Sequence, residues 1–215
     1  MVFLEVSEIS FPDPELMDSE SGVVAIGGDL QPERIHFAYQ IGIFPWFNEG
    51  EEILWWCPDP RFVLYPKNLK VSKSMRKILR DGVFTFTENI CFRQILNECR
   101  NVYRKGQDGT WLSEELIQSL VKLHEDGIAK SIEVWQNDEL VGGFYGIQIG
   151  KVFCGESMFT KVSNASKAGF IHFILSHQEQ LDLIDCQVHS EHLESLGAEM
   201  ISKKEYLTIL KNQKE

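Results

Sequence analysis

Apolar residues along this chain follow two periods, and the change from one to the other marks its elements. Residues 32–41 read as a helix, with Pro32 in the first turn and Gly42 just past the end. Ser72 or Ser74 is placed to cap a basic helix that stops before Gly82. Residues 83–87 suit a strand and 89–101 a further helix. Thr110-Trp111-Leu112 leads into a helix over 113–126. Its first turn carries Glu114 and Glu115, favourable at a helix N-terminus, and Gly127 follows as a C′ residue. Three strands come next, over 130–135, 139–149 and 151–159, with turns at Asn137-Asp138 and Gly150. A helix opens at Ser163-Asn164-Ala165-Ser166 and reaches about residue 180. The chain closes with a strand over 183–187, a short helix over 192–196 stopped by Gly197, a strand near Met200 and a terminal helix.

Helices before a run of three strands, then helix, strand, helix and strand, make an α+β order with a mixed central sheet flanked by helices. That succession resembles the core of the acyl-CoA N-acetyltransferase superfamily. The first part is different, being rich in Gly, Pro and Trp, with Trp46, Trp55 and Trp56 close together. We therefore expect a small N-terminal α/β domain over 1–62 and an acetyltransferase-like domain over 63–215.

At 43% hydrophobic and 25% charged residues, the composition is that of an ordinary globular chain. No run of about 18 apolar residues predicts a membrane span. Residues 1–10 hold Glu5 and Glu8 and no Lys or Arg, the wrong charge for a secretory signal. Cys57, Cys91, Cys99, Cys154 and Cys186 include no C-x-x-C pair, which fits a reducing cytoplasm better than a disulfide framework. No Cys/His quartet has zinc spacing, and the lone pair His189 and His192 is weak evidence, so no metal is expected. The net charge of −11 excludes nucleic-acid binding over the whole surface. Residues 61–105, however, hold eleven basic residues and three acidic ones. Either that stretch is a face for a polyanion, with an acidic remainder elsewhere, or it is a solvated basic surface.

Three polar residues interrupt apolar strands. Glu156 sits in Gly155-Glu156-Ser157-Met158-Phe159, where alternation puts it on one face with Met158. A carboxylate there is costly unless paired or solvated. Asp185 and Gln187 share one face of Leu183-Ile184-Asp185-Cys186-Gln187 with Leu183. They either line a cleft at the strand's carboxyl end or bond nearby backbone. Trp46, Trp55, Trp56 and Trp111 are flat surfaces that stack bases, or else core residues; Trp135 suits packing. The stretch 161–167 precedes a helix but lacks the glycines of a pyrophosphate loop, and its Ser and Asn either bind an anion or simply cap the helix. No nucleotide-binding G-x-x-x-x-G-K-[ST] occurs.

Several ordered motifs together resemble the leucyl/phenylalanyl-tRNA–protein transferase family. They are Val24-Ala25-Ile26-Gly27-Gly28-Asp29-Leu30, Gly42-Ile43-Phe44-Pro45-Trp46-Phe47, Leu54-Trp55-Trp56, Pro58-Asp59-Pro60-Arg61 and Gly109-Thr110-Trp111. Further on come Glu133-Val134-Trp135, Leu140-Val141-Gly142-Gly143, Gly155-Glu156-Ser157-Met158-Phe159, Asn164-Ala165-Ser166-Lys167, Ile184-Asp185-Cys186-Gln187 and His192-Leu193-Glu194-Ser195-Leu196-Gly197-Ala198. The likeness covers about residues 10–205. Gln31, Phe144, Cys154 and Val188-His189-Ser190 depart from the family pattern at cap or packing positions.

The resemblance implies a bacterial cytoplasmic enzyme with no metal, cofactor or CoA and no membrane partner. It implies transfer of Leu, Phe or Met from aminoacyl-tRNA to proteins with N-terminal Arg or Lys, marking them for N-end-rule degradation. By the same resemblance, Asp185 helps take or orient the amine proton, with Gln187 beside it, and Glu156 binds a cationic substrate group. Trp111 and Trp46 are expected at the donor's end, and Phe153, Met158 and Ser157 around its side chain. The basic run Lys67, Lys70, Lys73, Arg76, Lys77 and Arg80 would follow tRNA phosphates without reading sequence. Competing readings are an acyl-CoA N-acetyltransferase, a non-catalytic tRNA- or N-degron-binding adaptor, and a related transferase acting on acidic N-termini.

Overall fold

The computed structural model describes residues 1–17, 21–102 and 112–213. Its first part holds β1 (Val2–Leu4), β2 (Val23–Gly27), α1 (Pro32–Gln40), β3 (Phe44–Pro45) and β4 (Leu54–Trp56). These strands form a small sheet in the order β1-β2-β4-β3, with β1 parallel to β2 and the other pairs antiparallel. Trp55 is fully buried at its centre, and its indole N–H donates to the Gly27 carbonyl at 2.9 Å. Arg34 of α1 is also buried. It pairs with Asp29 at 3.0 Å and donates to the carbonyls of Glu5 and Glu8, which ties down the leading segment. Gly42 ends α1 with φ +82°, and a Cβ there would stand 2.6 Å from Leu207. Only glycine satisfies both the left-handed turn and that close approach.

The second part supplies β5 (Arg61–Leu64), α2 (Lys73–Arg80), β6 (Thr85–Glu88), α3 (Phe92–Arg100), α4 (Glu114–Glu125), β7 (Ala129–Gln136), β8 (Glu139–Ile149), β9 (Val152–Thr160), α5 (Ala165–His177), β10 (Leu183–Gln187), α6 (Glu191–Glu194), β11 (Glu199–Ile201) and α7 (Lys203–Lys211). Ser72 and Ser113 accept backbone N–H bonds as caps of α2 and α4. The β7–β8 hairpin turns at Asn137 and Asp138, both with positive φ, as a tight two-residue hairpin requires. The helix expected from residue 89 begins instead at Phe92. Asn89, at φ +63°, is a turn residue whose side chain accepts from the Ser131 N–H.

The large sheet runs β11-β5-β10-β9-β8-β7-β6 and is antiparallel except for the parallel pair β9 and β10. It is the mixed sheet of an α+β fold. Helices α3 and α4, with α1 and α7, cover one face, and α5 with α2 covers the other. The domain boundary expected at residue 62 falls inside β5, a strand of this large sheet. Around Phe144 the core under α5 is aromatic: Phe153, Phe170 and Phe173 meet it at ring separations of 5.6–6.1 Å, near edge-to-face. Among the described residues, no helix is long and apolar enough to cross a membrane, and no group of His, Cys, Asp and Glu is placed to hold a metal.

Candidate active site in the fork of the sheet

Strands β9 and β10 pair from Val152 and Leu183 to Cys154 and Asp185, and then part. Each strand is irregular where the fork opens. On β9, Tyr145 faces Ser157 and Gly146 faces Gly155 across the β8 ladder, so Glu156 has no ladder partner. On β10, Asp185 faces Val63 and Gln187 faces Phe62, so Cys186 is the extra residue. Bulges re-aim side chains, and these two aim theirs at each other. Gln187 takes the left-handed region at φ +62°, a conformation that costs a non-glycine residue on the order of 1 kcal/mol. Its N–H donates to Asp185 Oδ1 at 2.9 Å, which holds the turn.

Glu156 is the meeting point. Its Oε1 accepts from Tyr39 Oη and from Gln187 Nε2, both at 2.6 Å, while no hydrogen bond among the described residues engages Oε2. Burial pushes its pKa up to about 7, and the charge of Asp185 adds to that; the Tyr39 and Gln187 bonds and the charge of Arg61 oppose it. A half-buried carboxylate near neutrality accepts and returns a proton at physiological pH.

Asp185 is different. It is fully buried, and Arg61 meets it with two parallel bonds, Nε to Oδ1 at 2.8 Å and Nη2 to Oδ2 at 2.6 Å. Tyr206 Oη donates to Oδ2 at 2.9 Å, so with the Gln187 N–H each oxygen already has two donors. Burial works against the Arg61 charge, but the facing carboxylate holds its pKa well above the usual guanidinium value.

A cavity of about 440 Å³ opens at the fork. Phe144, Met158, Phe170 and Ile184 make its apolar wall, and Phe44 with Trp46 forms one side. Trp46 is 42% exposed, and its ring lies 5.4 Å from that of Trp56. The other end is polar, with Glu156, Gln187, His189, Ser190 and His192. His192 is held below the ordinary histidine value by burial and then by Lys167, so it presents a neutral imidazole.

Six of the residues singled out from sequence share this cavity: Asp185, Gln187, Glu156, Trp46, Met158 and Ser157. Phe153 is not in its lining. It is fully buried behind the wall, against Phe144 and Phe173, on the stretch of β9 that is still paired with β10 before the fork opens. Trp111 lies outside the described residues. Trp55 is core, and Trp135 donates to Thr87 Oγ1 at 2.8 Å. Lys67, Lys70, Lys73, Arg76, Lys77 and Arg80 are all exposed on α2 and the turn before it. The basic count over 61–105 overstates that surface, since Arg61 is buried and Arg93 and Arg100 pair with acidic side chains. Sequence reasoning missed Tyr39, Arg61 and Tyr206 as parts of the site. The available signal was the cost of a carboxylate inside β10, which demands a cation nearby.

An apolar pocket beside a carboxyl that burial pushes up to about 7 suits proton transfer next to an apolar substrate group. Family models described as Leucyl/phenylalanyl-tRNA protein transferase and as its N-terminal domain match residues 63–211 and 28–59. The chain belongs to the leucyl/phenylalanyl-tRNA–protein transferase family. The protein of that name from Flavobacterium johnsoniae is 55% identical over 207 residues, covering 96% of this chain and 97% of the relative. The one from Christiangramia forsetii is 51% identical over 213 residues, covering 98% and 100%. Among solved structures, a conserved protein of unknown function from Bacteroides thetaiotaomicron aligns with a TM-score of 0.45 and 12% identity, over 88% of this chain and 64% of that one. A GCN5-related N-acetyltransferase-like protein from Streptococcus suis aligns at 0.38 and 13%, over 79% and 64%.

Proposed function

We propose that this protein transfers leucine, phenylalanine or methionine from its tRNA ester to the α-amine of proteins beginning with Arg or Lys. The product is marked for N-end-rule degradation in the bacterial cytoplasm. The observation that carries the reading is Glu156, held near neutrality where the fork opens onto an apolar-walled cavity.

The reaction is aminolysis of an ester. The neutral amine nitrogen attacks the ester carbonyl carbon, a C–N bond forms, and the amine proton passes to Glu156. The C–O bond to the ribose then breaks, and the leaving oxygen recovers that proton. No nucleotide is spent, because the ester is already activated. Glu156 Oε2 is the acceptor, and the Gln187 side-chain carbonyl orients the amine, since its Nε2 is engaged with Glu156. Asp185 serves to orient rather than to take the proton, because its lone pairs are already occupied. Positioning of this kind supplies much of the rate in two-substrate reactions.

Phe144, Met158, Phe170 and Ile184 suit the donor's apolar side chain, and a flexible Met admits several shapes. Trp46 at the rim offers a stacking face for the terminal adenine, with Trp111 as the second expected from sequence. The exposed basic residues of α2 follow the tRNA backbone. The test is labelled Leu-tRNA offered with peptides beginning Lys, Arg, Asp or Ala. Label should reach the Lys and Arg peptides alone; transfer to the Asp peptide, or acetylation dependent on acetyl-CoA, overturns the reading.

A further inference from the structure

We propose that Arg61 is a positioning residue for transfer, fixing at once the β10 bulge that presents Gln187 to Glu156 and the cavity wall carried by Phe44. The inference rests on the transferase reading above and adds a residue that touches no substrate.

The Arg61 guanidinium is 1% exposed and lies outside the cavity lining. Its contacts reach three separate parts of the chain. Two parallel N–H bonds go to Asp185 on β10, whose Oδ1 in turn accepts the N–H of Gln187 and so sets the left-handed turn there. Nη1 donates at 3.2 Å to the carbonyl of Gly42, in the turn that leads from α1 into β3. The guanidinium carbon also lies over two rings, 4.7 Å from the centre of Phe44 and 4.4 Å from that of Tyr206 on α7. Phe44 lines the cavity, and Trp46 follows it by two residues. One cation therefore sets the distance between the proton-accepting end of the site and the wall that faces the donor. Lysine cannot replace it. An ammonium is a point charge, with neither the paired donors for a carboxylate nor the flat surface for two rings.

The test uses the full chain with Arg61→Lys and, separately, Tyr206→Phe, which keeps the ring and the ion pair but loses the O–H donated to Asp185. Steady-state transfer of labelled Leu from tRNA to a Lys-peptide gives kcat and KM for both substrates across the neutral pH range, beside thermal melts. For Arg61→Lys we expect kcat to fall about 100-fold, the scale of a displacement of about 1 Å in a two-substrate site. KM for aminoacyl-tRNA should stay within about threefold of the parent, because the exposed basic residues are untouched. The acid limb of the kcat profile should move to higher pH, since a displaced Gln187 no longer donates the bond that holds the Glu156 pKa down, while the lysine keeps the positive charge. Tyr206→Phe should shift both readouts the same way by less, and it carries the test alone should Arg61→Lys fail to fold. A folded variant with parental kcat and an unmoved limb overturns the proposal. So does a loss of rate that merely equals the loss of folded protein. A parent chain that transfers nothing to any peptide sinks the transferase reading instead, which keeps the two failures apart.

Discussion

Replacing Asp185 by alanine deprives four donors of their acceptor: Arg61 Nε and Nη2, Tyr206 Oη and the Gln187 N–H. Arg61 then stays buried with its charge uncompensated. Removing one member of a buried pair costs about 3–5 kcal/mol, and an orphaned Tyr206 hydroxyl adds on the order of 1 kcal/mol. Total stabilities are about 5–15 kcal/mol, so the variant loses a large share of its margin. For a chain of this size each kcal/mol moves the midpoint by about 2–4 °C, which puts Tm some 6–20 °C below the parent for the pair alone. Thermal and urea unfolding followed by circular dichroism measure this directly. The double variant Asp185→Leu with Arg61→Met exchanges the pair for apolar volume and should recover most of the loss, because the cost lies in the unpaired charge. An Asp185→Ala protein within about 0.5 kcal/mol of the parent would refute the enclosed pair. Transfer by Asp185→Ala should be greatly slowed even well below its midpoint, with tRNA binding retained.

Glu156→Gln should abolish most transfer and remove the acid limb near 7, the pH below which the parent carboxylate is protonated and inactive; a normal profile in that variant rules Glu156 out as proton acceptor. Its folded pKa of about 7 exceeds the ordinary carboxyl value of 4.5, so the native chain binds this proton more tightly than the unfolded one. Stability due to Glu156 is therefore full below 4.5 and lost as pH rises to 7, by at most about 3 kcal/mol, and denaturant midpoints of Glu156→Gln should lack that slope. Neutralising Arg76, Lys77 and Arg80 together should weaken tRNA binding and flatten its dependence on log salt by fewer than about three contacts, since Lys77 and Arg80 already pair with Asp81; an unchanged slope removes α2 from the interface. Phe153→Ala should cost about 3–5 kcal/mol in stability and leave donor preference alone, whereas Met158→Ala should change the ratio of Leu to Phe transfer with a smaller stability loss; the reverse pattern in competition assays would exchange their roles.

The long elements were legible because their patterns are strong. Ser113 with Glu114 and Glu115 announced α4, and Asn137-Asp138 marked the β7–β8 turn. Strands β1 to β5 were not read, being two to five residues long and too short for a period to register. Strict alternation failed at Glu156 and Cys186, where one extra residue re-aims the side chains after it; Phe153 and Met158 thus share the α5 face, Phe153 buried where β9 still pairs with β10 and Met158 where the cavity opens. The chemistry of the fork was visible as polar residues out of place in apolar strands. Their partners Tyr39, Arg61 and Tyr206 were not, because they come from three distant stretches that only the tertiary fold unites.

Tyr39 reaches from α1 across to Glu156 on the large sheet. The carboxyl proposed to take up the proton is thus completed by an O–H belonging to the first part of the chain. Cutting the protein near residue 60 would yield two fragments, neither holding a complete acid–base unit. Chimeras joining the front of one homologue to the back of another should work only where this hydroxyl meets its carboxyl at bonding distance, which ties the two halves to a common evolutionary fate.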